Sequence, residues 1–313
     1  MAIVANTFQS YQSIGTREDL ANTIYNISPS DVPFMSMIGR SKAKNTLVEW
    51  QSDSLSAASA TNAQIEGDDY AYTAVSPTVR LGNYTQILRK TVIVSGSQQA
   101  GNHAGRDSET AYQFAKMSKE IKRDLETSLT GKKERTVGSA SAARYMGGLE
   151  SWIVTNKSHG SSGATAAYAS GSAVTDGTQR AFSEALLKVQ IQAAFTAGGD
   201  PSVIMLGPAN KQNFSAFAGR TTARQNISAE SIQASASLYA SDFGDFKVTV
   251  NRFSRDRTAT IIDPEYWSVA YFRDFKAEDV AKTGDAIKKV LLCEATLVSK
   301  NEAASAKVAD LTT

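Results

Sequence analysis

The amino-acid sequence predicts an α+β protein in which strand-rich and helix-rich stretches follow one another. Three observations lead to this prediction. Strand-like alternation of apolar residues occurs in two stretches before residue 95, a helical period of apolar residues runs from residue 107 to 131, and short strands and helices alternate after residue 199. With 313 residues, 42% of them hydrophobic, the chain can fill the core of one large domain or two ordinary ones.

The composition argues against several classes of protein. Cys293 is the only cysteine and has no partner for an internal disulfide, and two histidines leave little for metal binding or proton transfer. We therefore expect no metal, no cofactor and no enzymatic activity. No run approaches the roughly 18 apolar residues of a membrane span, and the first residues do not read as a signal peptide, so a soluble, unsecreted chain without membrane contact is expected.

The first 45 residues predict an extended arm. They are polar and interrupted by glycine and proline, and a helical turn at residues 22–27 is stopped by Pro29. Phe34, Met35 and Ile38 cannot be buried locally, so they must pack on the chain's own domain or on a neighbouring subunit. Our site hypothesis places these three side chains in a contact between subunits.

Two strand-rich stretches predict a long hairpin. Residues 46–51 and 75–94 favour strands, and the chain between them is rich in serine, alanine and threonine. The tip is too small and polar to bury a core of its own and should project from the body. Its acidic cluster of Glu66, Asp68 and Asp69 is more typical of a solvated or partner-facing patch than of a cation site.

The longest predicted element is a helix over residues 107–131. Its apolar residues recur on one face, Asp107 or Ser108 is the expected N-cap, and Gly131 can end the helix. Two i,i+4 ion pairs are expected on the exposed face: Lys116–Glu120 and Lys122–Glu126.

The rest of the chain predicts a loop and a mixed body. Residues 155–178 are rich in glycine, serine, alanine and threonine and predict an exposed loop. A helix over residues 179–197 is apolar around much of its girth, which predicts burial on more than one side. Short strands and a helix follow, and a strand over residues 287–299 ends the series.

Few residues suggest catalysis or nucleic-acid recognition. His103 and His159 stand in glycine- and serine-rich contexts that we expect to be too flexible for a catalytic site. Cys293 lies in an alternating apolar run and predicts a buried thiol. Three arginines leave two alternatives open, a turn with solvated side chains or a contact with phosphate: Arg252, Arg255 and Arg257.

Several blocks of sequence resemble one known family. They include the stretches TFQSYQSIGTREDLANTIYNISPSDVPFMSMIG, TGKKERTVGSASAARYMGGLESWI, GGDPSVIMLGPANKQNFSAFAG, SDFGDFKVTVNRF, IIDPEYWSVAYFRDF and KNEAASAKVADLT. Together these blocks extend over nearly the whole chain. The chain resembles the major capsid proteins of tailed bacteriophages, which have the HK-ninety-seven-type fold.

The resemblance implies an assignment of the chain to the parts of that fold. Residues 1–45 would be the N-terminal arm and 46–95 the extended hairpin loop. Residues 96–198 would form the peripheral domain, with the spine helix at 106–130, and 199–286 the axial domain. Residues 287–313 would be the return strand of the peripheral domain and the C-terminal tail.

The resemblance also implies a function and partners. The chain would assemble with itself into pentamers and hexamers that form an icosahedral head shell around double-stranded DNA, located in the virion. A portal, a scaffolding protein and a decoration protein would be further partners. The alternative within the same fold is an encapsulin-like nanocompartment shell, which would enclose cargo enzymes instead of a genome.

Charge predicts how neighbouring subunits would meet. The formal net charge of the chain is +2, with 33 basic and 31 acidic residues, which suits a wall that encloses DNA without sequence-specific binding. A projecting acidic tip needs a countercharge. We therefore expect Glu66, Asp68 and Asp69 to meet basic residues on a neighbour's long helix, with these candidates: Lys116, Lys122 and Arg123.

Overall fold

A computed structural model describes residues 31–53, 55–69, 72–101, 106–165, 174–217 and 237–313. The turn predicted at residues 22–27, the rest of the arm before residue 31, and His103 lie outside these ranges. The helices are α1 Pro33–Met37, α2 Gly96–Ala100, α3 Glu109–Thr130, α4 Leu149–Trp152, α5 Glu184–Thr196 and α6 Pro208–Ser215. The strands are β1 Gly39–Lys42, β2 Leu47–Ser52, β3 Val79–Tyr84, β4 Gln86–Ser95, β5 Lys157–Ser158, β6 Val203–Leu206, β7 Leu238–Ser241, β8 Gly244–Val250, β9 Ala259–Ile262, β10 Trp267–Val280, β11 Ala286–Ser299 and β12 Ala306–Val308. The fold is α+β, as predicted.

The described strands form three sheets. The four-stranded sheet has the order β1-β10-β11-β4, and the six-stranded sheet has the order β5-β12-β9-β6-β8-β7. The third sheet is the antiparallel pair β2-β3, which is the base of the predicted hairpin. The second predicted strand of this hairpin is split at residue 85, because β4 leaves β3 and pairs with β11.

Helix α3 is the predicted long helix and packs on the four-stranded sheet. Ser108 is its N-cap, with the side-chain oxygen accepting a hydrogen bond from the Ala111 N–H at 3.3 Å, and Gly131 is its C-cap. The buried side chains recur at three- and four-residue intervals along one face: Met117, Ile121, Leu125 and Leu129. They form one hydrophobic core with buried residues of β10 and β11.

A second hydrophobic core lies between α5 and the six-stranded sheet. Leu187, Ile191 and Ala194 of α5 are buried against it. On the other side of the helix, Val189 and Phe195 are 58% and 51% exposed. The prediction that this helix is buried on more than one side is therefore wrong for the single chain, in which only one face of α5 meets the six-stranded sheet.

The arm joins the body at a buried carboxylate on α3. Glu126 is completely buried, and its two carboxylate oxygens accept hydrogen bonds from the Phe34 N–H at 2.8 Å and the Met35 N–H at 2.9 Å, which are two amides at the start of α1. The Asn251 side-chain amide donates to the same carboxylate at 2.7 Å. Burial raises the pKa of Glu126, and these three hydrogen bonds oppose that rise.

This contact corrects two predictions. Glu126 cannot form the exposed ion pair predicted with Lys122, because its carboxylate points into the core. Phe34, Met35 and Ile38 are 0%, 4% and 6% exposed in the core of their own chain, which leaves almost no surface for a neighbour. The assignment of these three side chains to a contact between subunits is therefore wrong.

Two strands late in the chain lie in different sheets. Strand β10 pairs with β11 over most of its length and belongs to the four-stranded sheet. Strand β12 pairs with β9 and belongs to the six-stranded sheet. The chain thus crosses between its two cores after Ile262 and again after Ser299.

We predict that Glu126→Ala strongly destabilises the chain. The substitution removes the acceptor of two backbone amides and one side-chain amide, and each orphaned buried group costs about 1–3 kcal/mol, so the free energy of unfolding should fall by about 3 kcal/mol or more. Urea denaturation of the unassembled protein measures this change.

Glu120→Ala is the matched control on the same helix. Its side chain is partly exposed and pairs only with Lys116 at 3.9 Å, a contact worth about 0.3–0.5 kcal/mol. Equal effects of the two substitutions would contradict the role assigned to Glu126.

Candidate functional site

The predicted hairpin projects beyond its two-stranded base. The pairing of β2 with β3 runs from Leu47 opposite Tyr84 to Ser52 opposite Val79. At the tip, the Asp68 N–H donates to the Ile65 carbonyl at 3.1 Å, and Gly67 has φ +85°. A side chain at residue 67 would strain this backbone, so glycine is suited to this tight turn.

The hairpin exposes both apolar and acidic side chains. Leu55 is 100% exposed, and Ile65, Tyr72 and Val75 are each more than four-fifths exposed. Residues 53–79 include four acidic residues, Asp53, Glu66, Asp68 and Asp69, and no lysine or arginine. Glu66, Asp68 and Asp69 all lie on the exposed tip. The tip is therefore an acidic surface beside apolar side chains that the described part of the chain leaves exposed.

The exposed face of α3 carries three lysines, together with Glu120, which pairs with Lys116 at 3.9 Å, and the exposed Asp124. Lys116, Lys119 and Lys122 are all exposed on this face. Arg123 is half-buried, and its guanidinium lies 5.4 Å from the centre of the Phe253 ring in the same chain. Of the three predicted countercharges, Lys116 and Lys122 are thus presented to solvent, whereas Arg123 packs within its own chain.

A half-buried arginine joins three distant parts of the chain. Arg255 donates to the Glu150 carboxylate at 2.9 Å and to both oxygens of Asp176 at 2.8 Å. Burial raises the pKa of Glu150, although the nearby charges of Arg255 and Lys307 oppose the rise. Burial acts to raise the pKa of Asp176 as well. Hydrogen bonds from Lys132 and Arg255 outweigh this effect of burial and lower the Asp176 pKa to about 2.

These contacts decide between the alternatives left open for the arginines. Arg255 is engaged by Glu150 and Asp176, and Arg257 donates to Asp310 at 3.2 Å. Only Arg252 is exposed. A turn of solvated arginines is therefore wrong for two of the three residues, and their guanidinium groups are held by carboxylates of the same chain.

His159 also differs from its prediction. Its ring is 8% exposed, with Nδ1 3.3 Å from Asp310 Oδ2 and Nε2 2.7 Å from Thr165 Oγ1. The described residues 157–165 and 174–178 are joined by an antiparallel bridge between Ala164 and Thr175. The flexible context predicted for His159 is therefore wrong, because long-range polar contacts hold these residues, whereas the predicted loop is found there, with Ser161, Ser162 and Ala164 exposed.

The remaining candidates for chemistry are accounted for. Cys293 is fully buried, and burial raises its thiol pKa to about 12, so the predicted buried thiol is confirmed. Within the described ranges, no group of three or more histidine, cysteine, aspartate or glutamate side chains is arranged to hold a metal ion. None of the described helices is long and apolar enough to cross a membrane.

Comparison with solved structures identifies the class of fold. The capsid of Cyanophage A-1(L) superposes with a TM-score of 0.68 at 12% identity, over 97% of this chain and 99% of that one. A structure of the major capsid and decoration proteins of Phage G superposes with a TM-score of 0.54 at 9% identity, over all of both chains. The chain has the fold of a phage capsid protein.

Sequence comparison identifies the family. The model of the SU10 major capsid protein family matches residues 3–312. The major capsid protein of Escherichia phage Phieco32 is 29% identical over 334 aligned positions, which include 95% of each chain. The chain belongs to the SU10 major capsid protein family.

The resemblance seen in the sequence is therefore confirmed. The chain is a phage major capsid protein, and it forms the capsid shell of the virion. The family is one of structural capsid proteins. These comparisons give no support to the nanocompartment alternative.

Arg255→Met should weaken the fold far more than a neighbouring substitution. It leaves the buried Glu150 carboxylate without its cation, and breaking a buried pair in this way costs about 3–5 kcal/mol. Arg252→Met, at an exposed position in the same turn, should change the free energy of unfolding by less than about 0.5 kcal/mol. Urea denaturation of both variants measures the difference, and a small effect at Arg255 would refute the bridging role.

Proposed function

We propose that copies of this chain join through the projecting hairpin into pentamers and hexamers, which tile a closed shell around double-stranded DNA. The observation that carries the proposal is the hairpin itself, whose apolar residues Leu55, Ile65, Tyr72 and Val75 are left exposed by the chain. Contacts between unlike surfaces of identical chains close into rings when the rotation between copies allows it. A hairpin of one copy on the body of the next is such a contact.

Burial of apolar surface would drive this association. Exposed apolar patches on soluble proteins mark interaction sites, and each large apolar side chain contributes about 1.5–3 kcal/mol when fully buried. Several such side chains on one hairpin would stabilise each contact, and the shell repeats that contact many times. Modest individual interfaces therefore suffice for a stable shell.

Charge would set the position of the hairpin on its neighbour. The tip is uniformly acidic, with Glu66, Asp68 and Asp69, and the exposed face of α3 carries Lys116 and Lys122. Opposite charges on two surfaces steer the encounter and fix the register of the contact. We place the countercharge on these two lysines and leave out Arg123, because its guanidinium packs on Phe253.

The same proposal covers the remaining partners. With a net charge of +2, the wall would enclose DNA without sequence-specific binding, and DNA entry would depend on a portal. A scaffolding protein would guide assembly, and a decoration protein would bind the outer surface, as the Phage G structure contains decoration proteins of that phage. The role of the chain would be structural, without catalysis.

Reversing the acidic tip tests the pairing. We expect Asp68→Lys combined with Asp69→Lys to prevent shell formation, because the tip would then repel Lys116 and Lys122 of the neighbour. Electron microscopy and sedimentation velocity of the expressed protein distinguish shells and rings from free subunits. Circular dichroism should show an unchanged fold, since both side chains are exposed.

A charge swap is the matched control. Adding Lys116→Glu and Lys122→Glu to the tip variant restores opposite charges, and we expect shells to return, whereas the two lysine substitutions alone should block assembly. Normal shells from the tip variant would show that the tip pairs elsewhere. A wild-type chain that forms neither rings nor shells would contradict the proposed function as a whole.

A further inference from the structure

His159 is one of a cluster of charged and polar side chains that connects the glycine- and serine-rich segment to the C-terminal strand. Thr165 Oγ1 lies 2.7 Å from His159 Nε2 and accepts a hydrogen bond from Lys307 Nζ at 2.6 Å. Lys157 Nζ donates to the Thr165 carbonyl at 2.7 Å. On the other side of the ring, Asp310 Oδ2 lies 3.3 Å from His159 Nδ1.

The hydrogen bonds fit a neutral imidazole. The Asp310 carboxylate accepts from the Gly160 N–H at 3.0 Å, the Gly177 N–H at 2.7 Å and Arg257 at 3.2 Å, so it is ionised and accepts from His159 Nδ1–H as well. His159 Nε2 then accepts the hydroxyl proton of Thr165. The remaining acceptor capacity of that hydroxyl is used by the ammonium group of Lys307.

A protonated imidazole does not fit the same contacts. Both ring nitrogens would become donors, so the Thr165 oxygen would receive hydrogen bonds from the imidazolium and from the Lys307 ammonium, which both lie within 2.7 Å of it. The Thr165 proton would lose its acceptor. Two positive charges would meet at one buried hydroxyl, with Lys157 close by.

The charges around the ring confirm the direction of this effect. Asp310, Lys157 and Lys307 face the ring. Arg257 donates a hydrogen bond to Asp310, and Lys307 donates one to the Glu150 backbone carbonyl. Burial is the main cause that lowers the pKa of His159, the Lys307 charge lowers it further, and the Asp310 contact opposes both. Burial likewise lowers the pKa of Lys307 to about 8.

The cluster also holds the loop of residues 159–165. His159 follows β5, Thr165 follows the bridge between Ala164 and Thr175, and Asp310 follows β12 with φ +60°. A Cβ at Gly163 would lie 2.3 Å from Asp310 Oδ2, so this loop packs directly on the carboxylate. Loss of the His159 and Thr165 contacts would loosen the loop, while the pairing of β5 with β12 and the hydrogen bond from the Arg180 N–H to the Asp310 carbonyl would still hold the chain on either side.

We propose that His159 is an acid-sensitive switch that holds the loop of residues 159–165 in place at neutral pH and loosens it on acidification. Because the fold favours the neutral ring, the stability that His159 contributes is fully present above the ordinary histidine pKa of about 6.5. That stability is lost as the pH falls through the lower pKa of the folded state. This inference does not depend on how the subunits pair.

Hydrogen exchange of the unassembled protein tests the switch. After correction for the intrinsic pH dependence of exchange, we expect amides in residues 159–165 to lose at least about tenfold in protection between pH 7.5 and pH 5, as a local opening would cause. Amides of α3 should keep their protection. Unchanged protection of the loop at pH 5 would overturn the proposal.

Two variants separate His159 from other titrating groups. His159→Gln should remove the pH dependence, whereas His103→Gln, at the other histidine of the chain, should retain it. Glu126, Glu150 and Asp263 also have raised pKa values, and a pH dependence that persists in His159→Gln would assign the effect to them and refute the switch.

Lys307→Met gives an independent test if His159→Gln does not fold. Without the ammonium group, the Thr165 hydroxyl can accept from a protonated ring, so the loop should stay protected at pH 5. Loosening of residues 159–165 in this variant at the same pH as in the wild type would contradict the proposed competition between the two cations.

Discussion

One constraint shapes the subunit: the hairpin beyond the β2–β3 pairing is left uncovered by the described part of the chain. Its residues carry large apolar side chains and four carboxylates, and the described body covers neither. Apolar surface of this kind is left uncovered in soluble proteins mainly where a partner will cover it. Membership of a major capsid protein family agrees with this constraint, since shell subunits are completed by their neighbours.

The remainder of the described chain is bound tightly to itself. The arm from residue 31 onward is held by Glu126, the glycine- and serine-rich segment by Asp310 and its partners, and the turn after β8 by the carboxylates of Glu150 and Asp176. Each contact joins parts of the chain that are more than 75 residues apart. A body held together by such contacts, with a projecting hairpin, is a suitable unit for a lattice, because the geometry of the neighbour contact is then fixed by the hairpin and its receiving surface.

Sequence periodicity predicted the elements that depend on local pattern. The long helix, its Ser108 cap and most strands are found close to their expected positions, because amphipathic period and capping are properties of consecutive residues.

The buried polar contacts could not be predicted in the same way. Glu126 has the spacing of an exposed helical pair with Lys122, and only the packing of a segment some 90 residues away turns it inward. His159 and the arginines of the 252–257 turn were misjudged for the same reason, since their partners are distant in sequence. The family could be recognised from blocks of sequence. The crossing of the chain between the two sheets could not be predicted from the sequence.

On this view the hairpin is exposed in the free subunit and covered in the assembled shell. Hydrogen exchange of residues 53–79, compared between unassembled subunits and purified shells, distinguishes the two states. We expect near-complete exchange within seconds in the free subunit and strong protection in the shell. Equal protection in both states, with the hairpin already covered in the single chain, would contradict this view.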